Sequence, residues 1–193
     1  AFDGGAGTDT VVESGDVDFA LAAASLEGVG SDTLAGIEGA TLTAGAGANT
    51  FTVSGWTGSA ILTGGSGNDT YRFSGTESAS VTIVEGANAD TDRLDFSALL
   101  NGGVSLDLAV STAQTLVAGL TLSLSSATGL ENVTGTAFAD TLLGNARDNT
   151  LSGIAGDDAL AGREGDDTLT GASGNDAFDG GAGTDTVVES GDV

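Results

Sequence analysis

The 193-residue chain contains no cysteine, histidine, methionine, proline or lysine, and its aromatics are one Trp, one Tyr and seven Phe. Without Cys or His, the usual ligand sets for zinc, haem, iron–sulfur and copper centres cannot be assembled. Catalytic nucleophiles that depend on His, Cys or Lys are excluded for the same reason. Positive charge is almost absent: four arginines face 28 acidic residues, for a net charge of -24. That balance cannot supply the basic surface a nucleic-acid backbone requires, and an anionic membrane surface would repel it. No apolar run approaches the roughly 18 residues of a membrane-spanning helix, and the first residues lack the pattern of a signal peptide. The expectation is a soluble, acidic chain whose natural partners are cations, with neither nucleic-acid binding nor membrane insertion.

What is present is 33 glycines and 39% apolar residues, and both recur at a fixed step. From Gly135 the chain divides without gaps into six nonapeptides: GTAFADTLL, GNARDNTLS, GIAGDDALA, GREGDDTLT, GASGNDAFD and GGAGTDTVV. Position one is always Gly. Position six is Asp140, Asn149, Asp158, Asp167, Asp176 or Asp185, and position eight is Leu142, Leu151, Leu160, Leu169, Phe178 or Val187. The frame also fits Gly4–Val12 and Gly64–Arg72, which place Asp9 and Asp69 at position six. Weaker copies are Glu27–Ala35, Ala44–Thr52 and Gly55–Thr63.

The residue types explain the period. Glycine at positions one, two and four permits positive φ and lets bare carbonyls approach an ion. Asp at position six supplies a hard oxygen ligand, as calcium demands. The last three residues form a short strand with its middle side chain inward. Each nonapeptide thus gives one loop and one strand, and two complete an 18-residue coil. Position-six residues two units apart then stack in rows: Asp140, Asp158, Asp176 on one side, and Asn149, Asp167, Asp185 on the other. The pairs Asp158–Asp176 and Asp167–Asp185 are the best calcium candidates. Neutral Asn149, and Phe138 and Arg147 in place of loop glycines, weaken their own levels. Asp32, Asn49 and Asp69 read as a third row, and Asp18 as a continuation from Asp9.

Three regions follow: irregular coils over 1–72, wider coils or a separate β insert over 73–134, and regular coils over 135–193. The middle region lacks the glycine frame but alternates at Val81–Val84, Val104–Leu108 and Leu120–Leu124, as strands with one buried face do. Ala87–Asp95 reads as a degenerate unit placing Asp92 two residues before Leu94. Phe51 and Tyr71 are expected in the core, Trp56 at the surface between loops, and the four arginines in surface pairs with carboxylates. Residues Ala1–Val17 and Ala177–Val193 are identical, at an offset of 176. This reads as one period plus overlap of a tandem array, each module continuing into the next.

The nonapeptides, together with the run Leu130–Gly153, resemble the haemolysin-type calcium-binding repeats of the RTX family. The resemblance implies an all-β, right-handed parallel β-roll or β-solenoid carrying several calcium ions, with Asp9, Asp32, Asp69, Asp140, Asn149, Asp158, Asp167, Asp176 and Asp185 as the metal-binding set. It also implies a secreted, extracellular or cell-surface protein, exported through a type I system. The expected function is a structural or adhesive, non-enzymatic module that folds on calcium outside the cell. Its expected partners are neighbouring modules or copies end to end, and a surface polysaccharide or other cell-surface target. The alternative is an auxiliary calcium-folding or secretion domain of an extracellular enzyme or toxin.

Overall fold

Alternating apolar positions and glycine-rich loops fold into a stack of short strands. A computed structural model describes residues 1–86 and 89–189. Ala87 and Asn88, the start of the degenerate unit, and the last four residues of the second 17-residue copy lie outside the described residues. Those described are all-β, without a helix.

The first region forms β1 (Phe2–Asp3), β2 (Thr10–Ser14), β3 (Phe19–Ala22), β4 (Ser25–Glu27), β5 (Ser31–Ala35), β6 (Gly39–Thr43), β7 (Thr50–Ser54), β8 (Ser59–Thr63) and β9 (Thr70–Gly75). The middle adds β10 (Ser80–Val84), β11 (Arg93–Leu99), β12 (Ser105–Asp107), β13 (Gln114–Val117), β14 (Leu120–Leu124) and β15 (Asn132–Thr134). The last region contributes β16 (Thr141–Leu143), β17 (Thr150–Ala155), β18 (Ala159–Glu164), β19 (Thr168–Ser173), β20 (Ala177–Ala182) and β21 (Thr186–Val188). An 11-stranded sheet runs β1-β5-β4-β3-β7-β9-β11-β15-β17-β19-β21. The chain passes repeatedly between this wall and two smaller sheets, ordered β13-β14-β10-β8-β6-β2 and β12-β16-β18-β20. Pairing is parallel except where β3, β4 and β5 form an antiparallel meander and β13 pairs β14. The architecture is a parallel β-roll.

Position eight explains why the coils stack. Along the long wall the register aligns Phe19, Phe51, Tyr71, Leu94, Val133, Leu151 and Leu169 in one inward ladder, and Val187 continues the register at its exposed end. Identical positions on parallel strands lie about 4.8 Å apart, so like side chains pack on like. The Phe19, Phe51 and Tyr71 rings are stacked, with centroids 5.5 and 5.1 Å apart. In the last region the partners are 18 residues apart, as in Thr150–Thr168 and Thr168–Thr186. Upstream the step widens: Thr50 pairs Thr70, Thr70 pairs Arg93, and Arg93 pairs Asn132. Strands of the middle region pair with strands on both sides, β11 between β9 and β15, so the wall is unbroken through it.

Two local expectations change. Trp56 is buried at 2% exposure, with its indole N–H donating to the Ser59 carbonyl at 3.2 Å. Its ring belongs to the same core cluster as Phe51, Tyr71 and Leu62. Glu27–Ala35 is not a nonapeptide coil. It folds as the β4–β5 hairpin, pairing Glu27 with Ser31, because strands flank the Gly28–Gly30 turn on both sides.

The inward ladder should dominate stability. Leu169 is fully buried and Val188 is 40% exposed. In calcium-saturated urea unfolding, Leu169→Ala is expected to cost roughly 2–5 kcal/mol, while Val188→Ala should stay within about 0.5 kcal/mol.

Candidate metal centre

Each loop brings its position-six side chain against the preceding coil, whose backbone fixes one oxygen. The Asp140 N–H donates to Asp158 Oδ1, and the Asp158 N–H to Asp176 Oδ1, both at 2.8 Å. On the opposite side the Asn149 N–H donates to Asp167 Oδ1 at 2.7 Å, and the Asp167 N–H to Asp185 Oδ1 at 3.1 Å. The structure therefore brings together the residues of both rows. A second ladder runs the other way from position five: the N–H groups of Asp166, Asn175 and Thr184 donate to Oδ1 of Asp148, Asp157 and Asp166.

The remaining carboxylate oxygen distinguishes the levels. Oδ2 of Asp9, Asp69, Asp92, Asp158, Asp167 and Asp176 is buried and takes no hydrogen bond. An ionised oxygen removed from water without a partner is costly, and a bound cation removes that cost. Asp140 differs. Its Oδ2 accepts the Thr136 N–H, and its Oδ1 accepts both the Val104 N–H and the Thr136 hydroxyl. Asn149 is satisfied too, accepting from the Asn145 N–H and donating to the Glu131 carbonyl. Arg147 lies beside them, ion-paired with Glu131 and donating to the Thr128 carbonyl. At this level the chain provides its own donors and its own positive charge.

Position-one glycines have a reason other than φ. A Cβ on Gly153, Gly162 or Gly171 would overlap Oδ2 of Asp158, Asp167 or Asp176. Positive φ occurs instead at positions two and four. Position two keeps it even without glycine, at Ile154 (φ 85), Arg163 (φ 86) and Ala172 (φ 76).

The upstream column is longer than the sequence suggests. The Asn49 N–H donates to Asp69 Oδ1, the Asp69 N–H to Asp92 Oδ1, and the Asp92 N–H to Glu131 Oε2. Asp32 does not join it: on strand β5 its Oδ1 takes the Ala1 amino group at 2.7 Å. Asp18 Oδ1 accepts the Thr50 N–H, and the neighbouring Asp16 accepts from the Gly47 N–H. Asp9 donates its N–H to Glu38 Oε2 at 3.0 Å. Of the arginines, Arg72 pairs Asp95 and Arg163 pairs Asp107, but Arg93 donates to the Thr134 hydroxyl instead of a carboxylate.

The densest group lies in this column. Asp69, Glu85 and Asp92 are buried, with carboxylate oxygens within 4.8 Å of one another. Glu85 Oε1 accepts the Tyr71 hydroxyl at 2.5 Å, and a Cβ on Gly64 would fill the space between Glu85 and Asp69. Glu85 escaped the sequence reading because it lies outside the nonapeptide frame; its signal is a lone acid closing an apolar strand, Val81–Val84. Burial, opposed by the Tyr71 hydrogen bond and reinforced by Asp92 and Asp69, pushes Glu85 up to about 8. Burial likewise raises Asp92 and Asp158 to about 6, and Asp69 and Asp167 upward. Hard, buried, partly unsatisfied oxygens backed by loop glycines are the donor set calcium takes.

The RTX calcium-binding nonapeptide repeat matches residues 134–162 and 152–187, in four copies. Residues 134–187 are RTX repeats. No curated protein matches the chain. RTX repeats bind calcium, and the unsatisfied oxygens at Asp158, Asp167 and Asp176 lie inside the matched segment.

Two measurements follow. Asp158→Asn should lower calcium stoichiometry in isothermal titration, whereas Asp140→Asn should leave it unchanged, because Asp140 is satisfied by the chain. The pH dependence has a definite sign. These acids carry raised values in the calcium-free fold, so protons stabilise that fold; the contribution is complete below about 4 and is lost as pH rises through 6 to 8. In EGTA, ellipticity of the β fold should therefore be greater at pH 5 than at pH 8, and saturating calcium should abolish the difference.

Proposed function

We propose that the chain is a calcium-dependent structural module of a larger secreted or cell-surface protein, folding when it meets extracellular calcium. The observation that carries this reading is the buried column of carboxylates with one oxygen held by backbone and the other unsatisfied. With a net charge of -24, the metal-free chain repels itself and its small side chains offset little conformational entropy. Calcium held by Asp158 with Asp176, by Asp167 with Asp185, and by Asp69 with Asp92 and Glu85 would neutralise charge and join consecutive coils. Its binding free energy then becomes folding free energy. Extracellular modules bind calcium with Kd on the order of 10⁻⁴–10⁻³ M, so a low-calcium cytosol would leave the chain unfolded and ready for export. RTX repeats belong typically to proteins exported in this way, by type I secretion. An adhesive role toward a surface polysaccharide or another cell-surface target fits a module with so little catalytic chemistry. Attachment to a distant enzyme or toxin, as a folding and secretion domain, is the second reading, favoured by the same repeats being a structural element. Far-ultraviolet circular dichroism tests the shared mechanism. At pH 7.5 a β spectrum should appear with millimolar calcium and be lost in EGTA, and an unchanged spectrum after chelation would refute it.

A further inference from the structure

The described residues of the two identical segments, 1–17 and 177–189, occupy opposite ends of the roll and are half-finished in complementary ways. At the far end, β20 is the outer strand of the β12-β16-β18-β20 sheet, and β21 is the outer strand of the 11-stranded wall. At the near end the same residues are β1, the outer strand of the 11-stranded wall, and β2, the outer strand of the six-stranded sheet. Among the described residues, the strands of one copy pair with the coil before it and those of the other with the coil after it.

The bonds do not compete. In the far copy, the Thr186 N–H donates to the Asp167 carbonyl at 2.8 Å, and Asp185 Oδ1 accepts the Asp167 N–H. In the near copy the equivalent residues use other atoms. The Asp9 N–H donates to Glu38 Oε2, the Asp9 carbonyl accepts from the Glu38 and Gly39 N–H groups, and the Gly4 N–H donates to the Ala35 carbonyl. One segment can make both of these sets at once, while the Ala1 amino group, paired with Asp32, would change partner.

Burial is complementary as well. Val187 is 49% exposed, while its equivalent Val11 is buried at 4%. Phe2 is 42% exposed, while Phe178 packs against the core. The apolar ladders continue through the overlap: Leu169 pairs Val187, and its equivalent Val11 pairs Ala40; Leu160 pairs Phe178, and its equivalent Phe2 pairs Leu34. The carboxylate column continues too, from Asp167 through Asp185 or Asp9 to Glu38.

We propose that these two segments are the same coil seen from its two sides, and that the roll accepts a second copy of this sequence, head to tail, by sharing it. Such an interface is heterologous and does not close, so it propagates as a filament. It also covers open strand edges that would otherwise template unspecific pairing. The proposal rests on the calcium-dependent folding proposed above but is separable from it.

Deleting residues 1–17 should vacate the slot that residues 177–193 of another copy can fill. In calcium, the full chain is expected to sediment as a monomer. The 18–193 variant should form concentration-dependent linear oligomers, and excess synthetic peptide AFDGGAGTDTVVESGDV should return it to monomer. Val187→Asp in that variant should abolish the oligomers by placing a charge where Val11 is buried; in the full chain the same exposed change should leave the calcium-induced β spectrum intact. A folded 18–193 variant that remains monomeric would overturn the proposal. So would oligomers that persist after Val187→Asp, or an unfolded variant rescued neither by the peptide nor by higher concentration. The calcium-dependent spectrum of the full chain is unaffected by any of these results, so a failed joint is distinguishable from a failed calcium mechanism.

Discussion

The structure depends on stacking carboxylates at the spacing of a β-coil. Parallel strands repeat at about 4.8 Å, so any side chain kept at one position of the repeat meets its own kind at that distance. For the apolar position this is an advantage, since Leu151, Leu169 and their neighbours form a continuous ladder. For the acidic position it is a penalty, because like charges out of water raise one another's pKa and oppose folding. Both arise from the same nine-residue period. A divalent cation removes the penalty without changing the period, which accounts for buried carboxylates in so acidic a chain.

The exceptions follow the same logic. Where Asp140 lies, Thr136 contributes a backbone N–H and a hydroxyl. Where Asn149 replaces Asp, Arg147 brings a guanidinium to Glu131. These levels are closed by the chain, and they lie where the widened middle coils meet the regular ones. The wall therefore alternates between levels that leave a buried carboxylate oxygen without a partner and levels whose donors the chain supplies.

Much of this was legible in the sequence because the period is strict from Gly135 onward. Step, strand position, inward residue and the two carboxylate rows all follow from nine residues per half-coil. Legibility failed where the chain left that period. Asp32 carries the right residue in a near-repeat, but paired Gly28 and Gly30 close a hairpin and place it on a strand. Glu85 and Glu131 reach the column from loops of different length, so no fixed spacing marks them. Trp56 is buried although its loop reads as an exposed repeat turn; nothing in the local pattern shows that its ring joins the core cluster. The role of the first glycine was visible as a residue type but not as a reason. Only the proximity of the Asp Oδ2 atoms shows that the missing Cβ is what matters.

The hand-over between sheets has a consequence for shape. The far segment contributes β20 to a short sheet and β21 to the long wall, while the near segment contributes β1 to the long wall and β2 to a short sheet. If one coil serves both, the long wall of one copy runs on as the short wall of the next. Successive copies would then present their broad faces to opposite sides of the fibre axis, about half a turn apart. A fibre built this way is two-sided, its structural repeat is a pair of copies, and anything displayed on one broad face recurs on the same side only at every second copy.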